Sequence, residues 1–288
     1  MSQSQDIHLI ECPRDAMQGI KSFIPTEKKV DYINALLKVG FETLDFGSFV
    51  SPKAIPQMRD TKQVLKNLDL KDSKSKLLAI VANLRGGKEA SGYEQIDYLG
   101  FPFSISETFQ KRNTNKTIAE SFETVKELKQ VANANGKKVL IYISMGFGNP
   151  YGEEWNVEIV EEWADKMAEL GISTINLSDT IGTSNPESID YLFSNLIPKY
   201  PEINFGAHLH TTANTWREKV DAAWNAGCRR FDGAIKGFGG CPMATDELTG
   251  NMPMEKLISF AADNKLNTGL NMLAFESAYN QAIRTFPL

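Results

Sequence analysis

The sequence predicts an α/β chain folded as a (β/α)8 TIM barrel with one extra C-terminal helix, a single catalytic domain over residues 1–288. Three observations carry that expectation. A short apolar run, a loop and an amphipathic helix recur eight times, and eight parallel strands with a helix in each crossover can close into a barrel. The 288 residues match the roughly 250 such a barrel needs, plus extras. Polar side chains capable of chemistry stand where the apolar runs end, the face on which these barrels carry their active sites. An open doubly wound sheet is the rival arrangement. No linker, low-complexity stretch or internal repeat divides the chain.

The elements follow in order. The first run, 7–12, precedes a helix from about residue 26, with Val30, Ile33, Leu36 and Leu37 on one face and Gly40 as its stop. The second, 43–46, precedes a helix near 61–68. The third, 76–82, precedes a short helical piece after Gly87, and the fourth covers 96–101. Thr117-x-x-Glu120 then forms a capping box, in which two orphan backbone donors are satisfied reciprocally. Ile118, Phe122, Val125 and Val131 face that helix inward, and Gly136 ends it.

The fifth run, 139–144, is β-branched and aromatic, the cleanest strand of the eight. A helix with Ile159, Trp163, Met167 and Leu170 inward stops at Gly171. After the sixth run, 173–177, Asn185-Pro186 opens a helix, proline suiting the first helical position. The seventh run, 203–208, precedes a helix carrying Trp216, Val220 and Trp224. The eighth, 230–235, precedes a helix near 253–263, and a last helix near 275–283 comes after the count is complete.

Composition narrows the function. Hydrophobic residues make up 42% and charged residues 23%, with a net charge of -5. That balance argues against a nucleic-acid partner or an anionic membrane, both of which need a basic surface. Three cysteines, Cys12, Cys228 and Cys241, make no disulfide framework and fit a reducing compartment. No apolar run approaches the roughly 20 residues of a membrane span, and the first six residues hold no targeting pattern. The expectation is a soluble cytoplasmic protein.

The strand ends carry the chemistry. The first run leads into Arg14-Asp15, and the second ends at Asp45 with Ser48 just beyond. The sixth ends in Asn176-Leu177-Ser178-Asp179 and the seventh in His208-Leu209-His210. Positions i and i+2 on a strand share a face, and two of the chain's three histidines have that spacing. Side-by-side imidazoles are natural metal ligands; the alternative is that they fill the polar mouth of a barrel. Asp15 can join them once the barrel closes, and Asn251 can add a fourth ligand from the last loop. Mixed oxygen and nitrogen donors suit a divalent ion such as Mg or Mn rather than a thiolate-rich zinc site. Arg14 can neutralise negative charge developing on a substrate oxygen, or make an ordinary ion pair with Asp15. Asp45 can pair with Arg14, stand behind the metal ligands, or cap its strand. The glycine-rich Gly237-Phe238-Gly239-Gly240-Cys241-Pro242 reads either as a tight turn around a buried thiol or as a lid that carries a thiol into the site.

Taken together these stretches resemble the 3-hydroxy-3-methylglutaryl-CoA lyase family, of the metal-dependent TIM-barrel lyases and carboligases. The match runs from about Glu11 to the last helix. Its carriers include Pro13-Arg14-Asp15 with Met17-Gln18, Ser48-Phe49-Val50-Ser51-Pro52-Lys53 with Pro56-Gln57-Met58, and Asn83-Leu84-Arg85-Gly86. Further on stand Ser106-Glu107 with Asn113, Pro150-Tyr151, Ser178-Asp179-Thr180-Ile181-Gly182, the histidine pair, the cysteine loop and Gly250-Asn251. The resemblance implies that Asp15, His208, His210 and Asn251 bind the divalent cation. It implies that Arg14 stabilises the enolate oxygen of the departing acetyl-CoA, that Cys241 shuttles protons, and that Asp179 sits by the cation and the substrate hydroxyl. Asp45 joins the catalytic set, and Gln18, Lys21, Ser48 and Asn113 are expected to hold the acyl-CoA or shape its site. A homodimer is expected, with an acyl-CoA substrate and no nucleic-acid or membrane partner.

The implied reaction cleaves a 3-hydroxy-3-methylglutaryl thioester into acetyl-CoA and acetoacetate. The alternatives are cleavage of another short 3-hydroxyacyl-CoA, condensation of a 2-oxoacid with acetyl-CoA on the same barrel, or a barrel that binds metal without catalysing. Four departures bear on the choice. The family usually has glutamate where this chain has Asp45; its HxHDT reads His208-Leu209-His210-Thr211-Thr212; its PRDGLQNE reads on from Asp15 as Ala16-Met17-Gln18-Gly19-Ile20; and a common cysteine is Met145.

Overall fold

The computed structural model describes residues 6–240 and 249–286. Ten strands are present among them: β1 (His8–Glu11), β2 (Thr43–Ser48), β3 (Lys76–Ile80), β4 (Tyr98–Ser104), β5 (Lys138–Ser144), β6 (Thr174–Ser178), β7 (Asn204–His208), β8 (His210–Thr211), β9 (Arg230–Gly233) and β10 (Gly250–Asn251). Eight form a closed barrel in the order β1-β2-β3-β4-β5-β6-β7-β9, every neighbour parallel. Closure runs from His8 opposite Arg230 to Glu11 opposite Gly233. The expected barrel is therefore the observed one, and the open sheet is not.

The helices are α1 (Pro13–Gln18), α2 (Thr26–Leu37), α3 (Thr61–Lys66), α4 (Leu84–Ser91), α5 (Glu107–Thr114), α6 (Ile118–Ala134), α7 (Val157–Glu169), α8 (Pro186–Lys199), α9 (Trp216–Asn225), α10 (Met254–Asp263) and α11 (Met272–Thr285). The expected capping box forms, Thr117 with Glu120 opening α6, and Asn185-Pro186 opens α8 as expected; the structure adds a second box there, between Asn185 and Ser188. The extra helix α11 packs on α2, with Phe275 edge-on to Phe41 at 6.5 Å. None of the described helices is long and apolar enough to cross a membrane.

The main core lies between the barrel wall and the helices. Leu77, Ala79, Val139, Ile141 and Ile143 join it, whereas Leu78, Ile80, Leu140 and Tyr142 form a separate buried cluster. That division is the two-residue alternation of a strand, with one set facing helices and the other filling the barrel. Gly100 is needed inside, where a Cβ would stand 2.7 Å from Ile80 and 3.0 Å from Leu78.

Three features depart from the sequence reading, and all lie at the mouth. The fourth strand starts at Tyr98 and continues to Ser104, past Pro102. Proline ends a strand only where its missing N–H is needed, and β4 pairs with β3 no further than Gly100. The seventh strand stops at His208; His210–Thr211 instead pairs antiparallel with Gly250–Asn251. Finally, α1 and α5 were not expected as helices. Pro13 in the first turn signals α1, and Ser106, whose side chain accepts from the Phe109 N–H, caps α5.

Candidate active site

Helix α1 begins two residues after β1 and brings a cation and a carboxylate side by side into the barrel mouth, with Arg14 8% and Asp15 6% exposed. The Arg14 Nε donates to Asp45 Oδ2 at 3.0 Å and Nη2 reaches the same carboxylate. Nη1 donates to Asp15 Oδ1 at 2.8 Å and to Gln18 Oε1 at 2.9 Å, and Gln18 Nε2 donates to Asp15 Oδ1 at 2.6 Å. Asp45 thus makes the pairing with Arg14 directly, despite being one methylene shorter than the glutamate usual in the family.

His208 and His210 lie side by side, ring centroids 5.6 Å apart. Among the described residues, ligand-type atoms of Asp15, His208 and His210 all come within 4.8 Å of one another. His208 Nδ1 is 3.0 Å from Asp232 Oδ2, which also accepts from Asn176 Nδ2 at 2.8 Å. A carboxylate on one ring nitrogen fixes the imidazole and leaves the other nitrogen free for a ligand role. Asn251 lies opposite His210 across the β8–β10 ribbon, and its Nδ2 donates to Phe238 O at 2.8 Å. Its amide also helps hold the Asp15 carboxyl ionised.

Two buried atoms show what the cluster fits. Among the described residues, Asp15 Oδ2 and His210 Nδ1 have no hydrogen-bond partner, and both are atoms of ligand type in one cluster. One carboxylate and two imidazoles could form a donor set for a hard or borderline divalent cation. Burial raises the Asp15 carboxyl, but Arg14 and the two histidines outweigh it and hold it below its usual value. Burial and His208 push His210 down to about 4, leaving it neutral as a ligand must be. Burial would lower His208, but the Asp232 carboxylate raises it overall. Burial lifts Asp45 to about 6 even against Arg14. For Arg14, burial is outweighed by Asp45 and Asp15, which keep the guanidinium charged; the bidentate contact is an ion pair.

Arg14, Asp15, His208 and His210 line a cavity of about 560 Å³. Tyr142 stands edge-on to His208 at 5.5 Å. Val50, Ala54, Ile55 and Phe109 supply an apolar wall, and Arg112 and Asn113 line it from the α5 side. A cavity of this size, with an apolar wall and convergent polar groups, is what small-molecule sites present.

The other expected residues divide. Gln18 and Asn113 line the cavity. Lys21 is exposed beyond α1 and is not among the lining residues. Ser48 is buried, its Oγ donating to Ile80 O at 3.3 Å and accepting from the Val50 N–H at 3.3 Å, so it braces the β2 end outside the cavity. Asp179 is placed differently from what the resemblance implies. It is buried behind the wall, with Ser184 N–H donating to Oδ1 at 3.0 Å and both Ser184 Oγ and Lys219 donating to Oδ2. Thr211 is buried at the position of the family's aspartate. Cys241 lies outside the described residues. The glycines before it press on the cluster: Gly239 has φ +87, and a Cβ there would stand 2.7 Å from Asp15 O.

Two site residues escaped the sequence reading. Asp232 was signalled by charges at i and i+2 in an apolar run, Arg230 and Asp232, both buried. Lys219 was signalled by its place on the inward face of α9, beside Val220 and Ala223.

Comparison with known proteins agrees with this geometry. The HMGL-like family matches residues 8–281. A hydroxymethylglutaryl-CoA lyase of Bacillus subtilis is 32% identical over 92% of this chain and 88% of its own length. The one of Pseudomonas mevalonii is 31% identical over 91% of this chain and 86% of its own. Among solved structures, a Bacillus subtilis HMG-CoA lyase superposes with a TM-score of 0.91 at 30% identity, over 99% of this chain and 95% of that one. An HMG-CoA lyase from Acinetobacter baumannii, in complex with coenzyme A and 3-methylmalate, has a TM-score of 0.90 at 29% identity, covering 99% and 92%.

Proposed function

The chain belongs to the HMGL-like family, and on that premise we propose that it is a divalent-metal-dependent carbon–carbon lyase cleaving 3-hydroxy-3-methylglutaryl-CoA to acetyl-CoA and acetoacetate. The observation that carries the reading is the Asp15–His208–His210 cluster, which lines one cavity with Arg14 and has two ligand atoms without a hydrogen-bond partner among the described residues. Asp15, His208, His210 and Asn251 would hold the cation, Mg or Mn. When bound, that cation supplies charge that favours loss of the C3 hydroxyl proton.

This chain's residues do the rest. Breaking the C2–C3 bond sends an electron pair into the thioester carbonyl, and Arg14 is the cation placed to stabilise the enolate oxygen. Asp45 holds Arg14 in a planar fork, accepting from Nε on Oδ1 and from Nη2 on Oδ2, a fixed geometry that costs no reorganisation as charge develops. Gln18 braces both Arg14 and Asp15. Cys241 is assigned the proton shuttle: as thiolate it would take the C3 hydroxyl proton, and as thiol return it to the enolate carbon to complete acetyl-CoA, an assignment supported by the approach of Gly239 to Asp15. Asn113 and the apolar wall receive the acyl-CoA, with Lys21 beyond the rim. Ser48 supports the wall through β2, and Asp179 supports the histidine strand from behind. The whole chain acts as one catalytic domain. The same reading carries a homodimer and a cytoplasmic location, the latter supported by the unpaired, buried Cys12 and Cys228.

A product assay tests the reaction. Purified protein with Mg or Mn, a thiol reductant and 3-hydroxy-3-methylglutaryl-CoA should release acetyl-CoA and acetoacetate together, and an EDTA control should release neither. Absence of both products with the cation present refutes the assignment of substrate. Release that EDTA leaves untouched refutes the metal.

A further inference from the structure

Lys219 has no part in the reaction as described, yet it is a lysine with 3% of its side chain exposed. Burying an ammonium costs several kcal/mol unless its donors are all matched. Here three acceptors meet Nζ: Asp179 Oδ2 at 2.8 Å, His210 O at 2.9 Å and Gly182 O at 3.2 Å. The Asp179 N–H donates to His208 O at 2.9 Å. The carbonyls on either side of Leu209 are therefore both held by the Asp179–Lys219 pair.

That is the point where β7 leaves the barrel and the β8–β10 ribbon begins. A strand continuing past His208 would be held by its neighbours. A strand that breaks there loses those bonds, and the side-chain directions of His208 and His210 depend on whatever replaces them. We propose that Lys219 is a positioning residue: paired with Asp179, it clamps the backbone on both sides of Leu209 and so sets the spacing of His208 and His210 for the cation. The proposal rests on the reading of Asp15, His208 and His210 as the cation site. It gives Asp179 a role in the same clamp, acting through backbone and not at the substrate.

The test uses Mn²⁺ alone, with free Mn²⁺ followed by electron paramagnetic resonance, so that no turnover is needed. Lys219→Met keeps the bulk and removes the charge. It should fold, as judged by circular dichroism, and bind Mn²⁺ about 10- to 100-fold more weakly, the usual effect of removing a residue that orients a ligand. Lys219→Arg should recover part of the loss. Asp179→Asn, nearly isosteric, should weaken Mn²⁺ similarly, and the double variant should lose less than the two single losses combined, because both act through one clamp. A folded Lys219→Met chain with wild-type Mn²⁺ affinity overturns the proposal, as does wild-type affinity in Asp179→Asn where Lys219→Met does not fold. His210→Ala is the control for the site. If the wild-type chain binds no Mn²⁺, or His210→Ala binds it unchanged, the parent reading of the cluster fails instead.

Discussion

Arg14 is the side chain on which the site turns, because it is bonded to Asp45, Asp15 and Gln18 at once. Its charge is fixed by two carboxylates and its plane by the fork to Asp45. Replacing it with lysine would keep the charge and lose the plane. Arg14→Gln should lower kcat by about 10²- to 10³-fold, the scale of a lost oxyanion stabiliser, with a smaller change in KM, read by steady-state kinetics at saturating Mn²⁺. An unchanged kcat would show that the enolate charge is met elsewhere. Arg14, Asp15, His208 and His210 were legible in the sequence because each pair is adjacent or two apart and stands where an apolar run ends. Asp232 and Lys219 meet His208 and His210 from other elements, across 24 and 9 positions. No local spacing records such meetings.

Among the elements, β1 and the helix α1 that follows it divide support from function. Asp15 follows its end into the mouth, while Glu11 points outward, taking Tyr32 Oη from α2 at 3.3 Å and the Ile235 N–H at 3.0 Å. Burial raises this carboxyl to about 8, so the folded chain keeps a proton there that the unfolded chain releases near the ordinary value of 4.5. The folded state then binds more protons between those values, and this group's contribution to stability falls as pH rises from about 4.5 to 8, by at most about 1.4 kcal/mol per pH unit. Glu11→Gln keeps the acceptor and supplies a permanent donor. It should flatten that slope in urea titrations across the pH range; an unchanged slope would mean that Glu11 is ionised in the fold. At the barrel mouth, α1 and α5 carry Arg14, Asp15, Phe109 and Arg112 to the cavity. Both are short, and only Pro13 in the first turn of α1 and the Ser106 cap of α5 mark them in the sequence.

On the scale of the whole molecule, the cation cluster joins the two ends of the chain order. Asp15 comes from beyond the first strand, the histidines from the seventh strand and the ribbon, and Asn251 from the segment after the eighth strand. A cation that binds only this assembled state stabilises the entire barrel by mass action. At about 100 times its dissociation constant, Mn²⁺ should add about 2.7 kcal/mol and raise Tm, and His210→Ala should abolish that rise. A rise of equal size in His210→Ala would place the stabilising ion elsewhere. The sequence by itself determined the eight strand–helix units and the polar strand ends, because periodicity, capping and short-range spacing are local properties, and its motifs carried the family resemblance. The tertiary structure decided what depends on distant elements meeting. It paired Asp45 with Arg14, broke the seventh strand at Leu209, and drew Asp179 behind the cavity wall onto Lys219. Those outcomes come from competition among buried charges for the few partners within about 3 Å, and that competition exists only once the chain has closed.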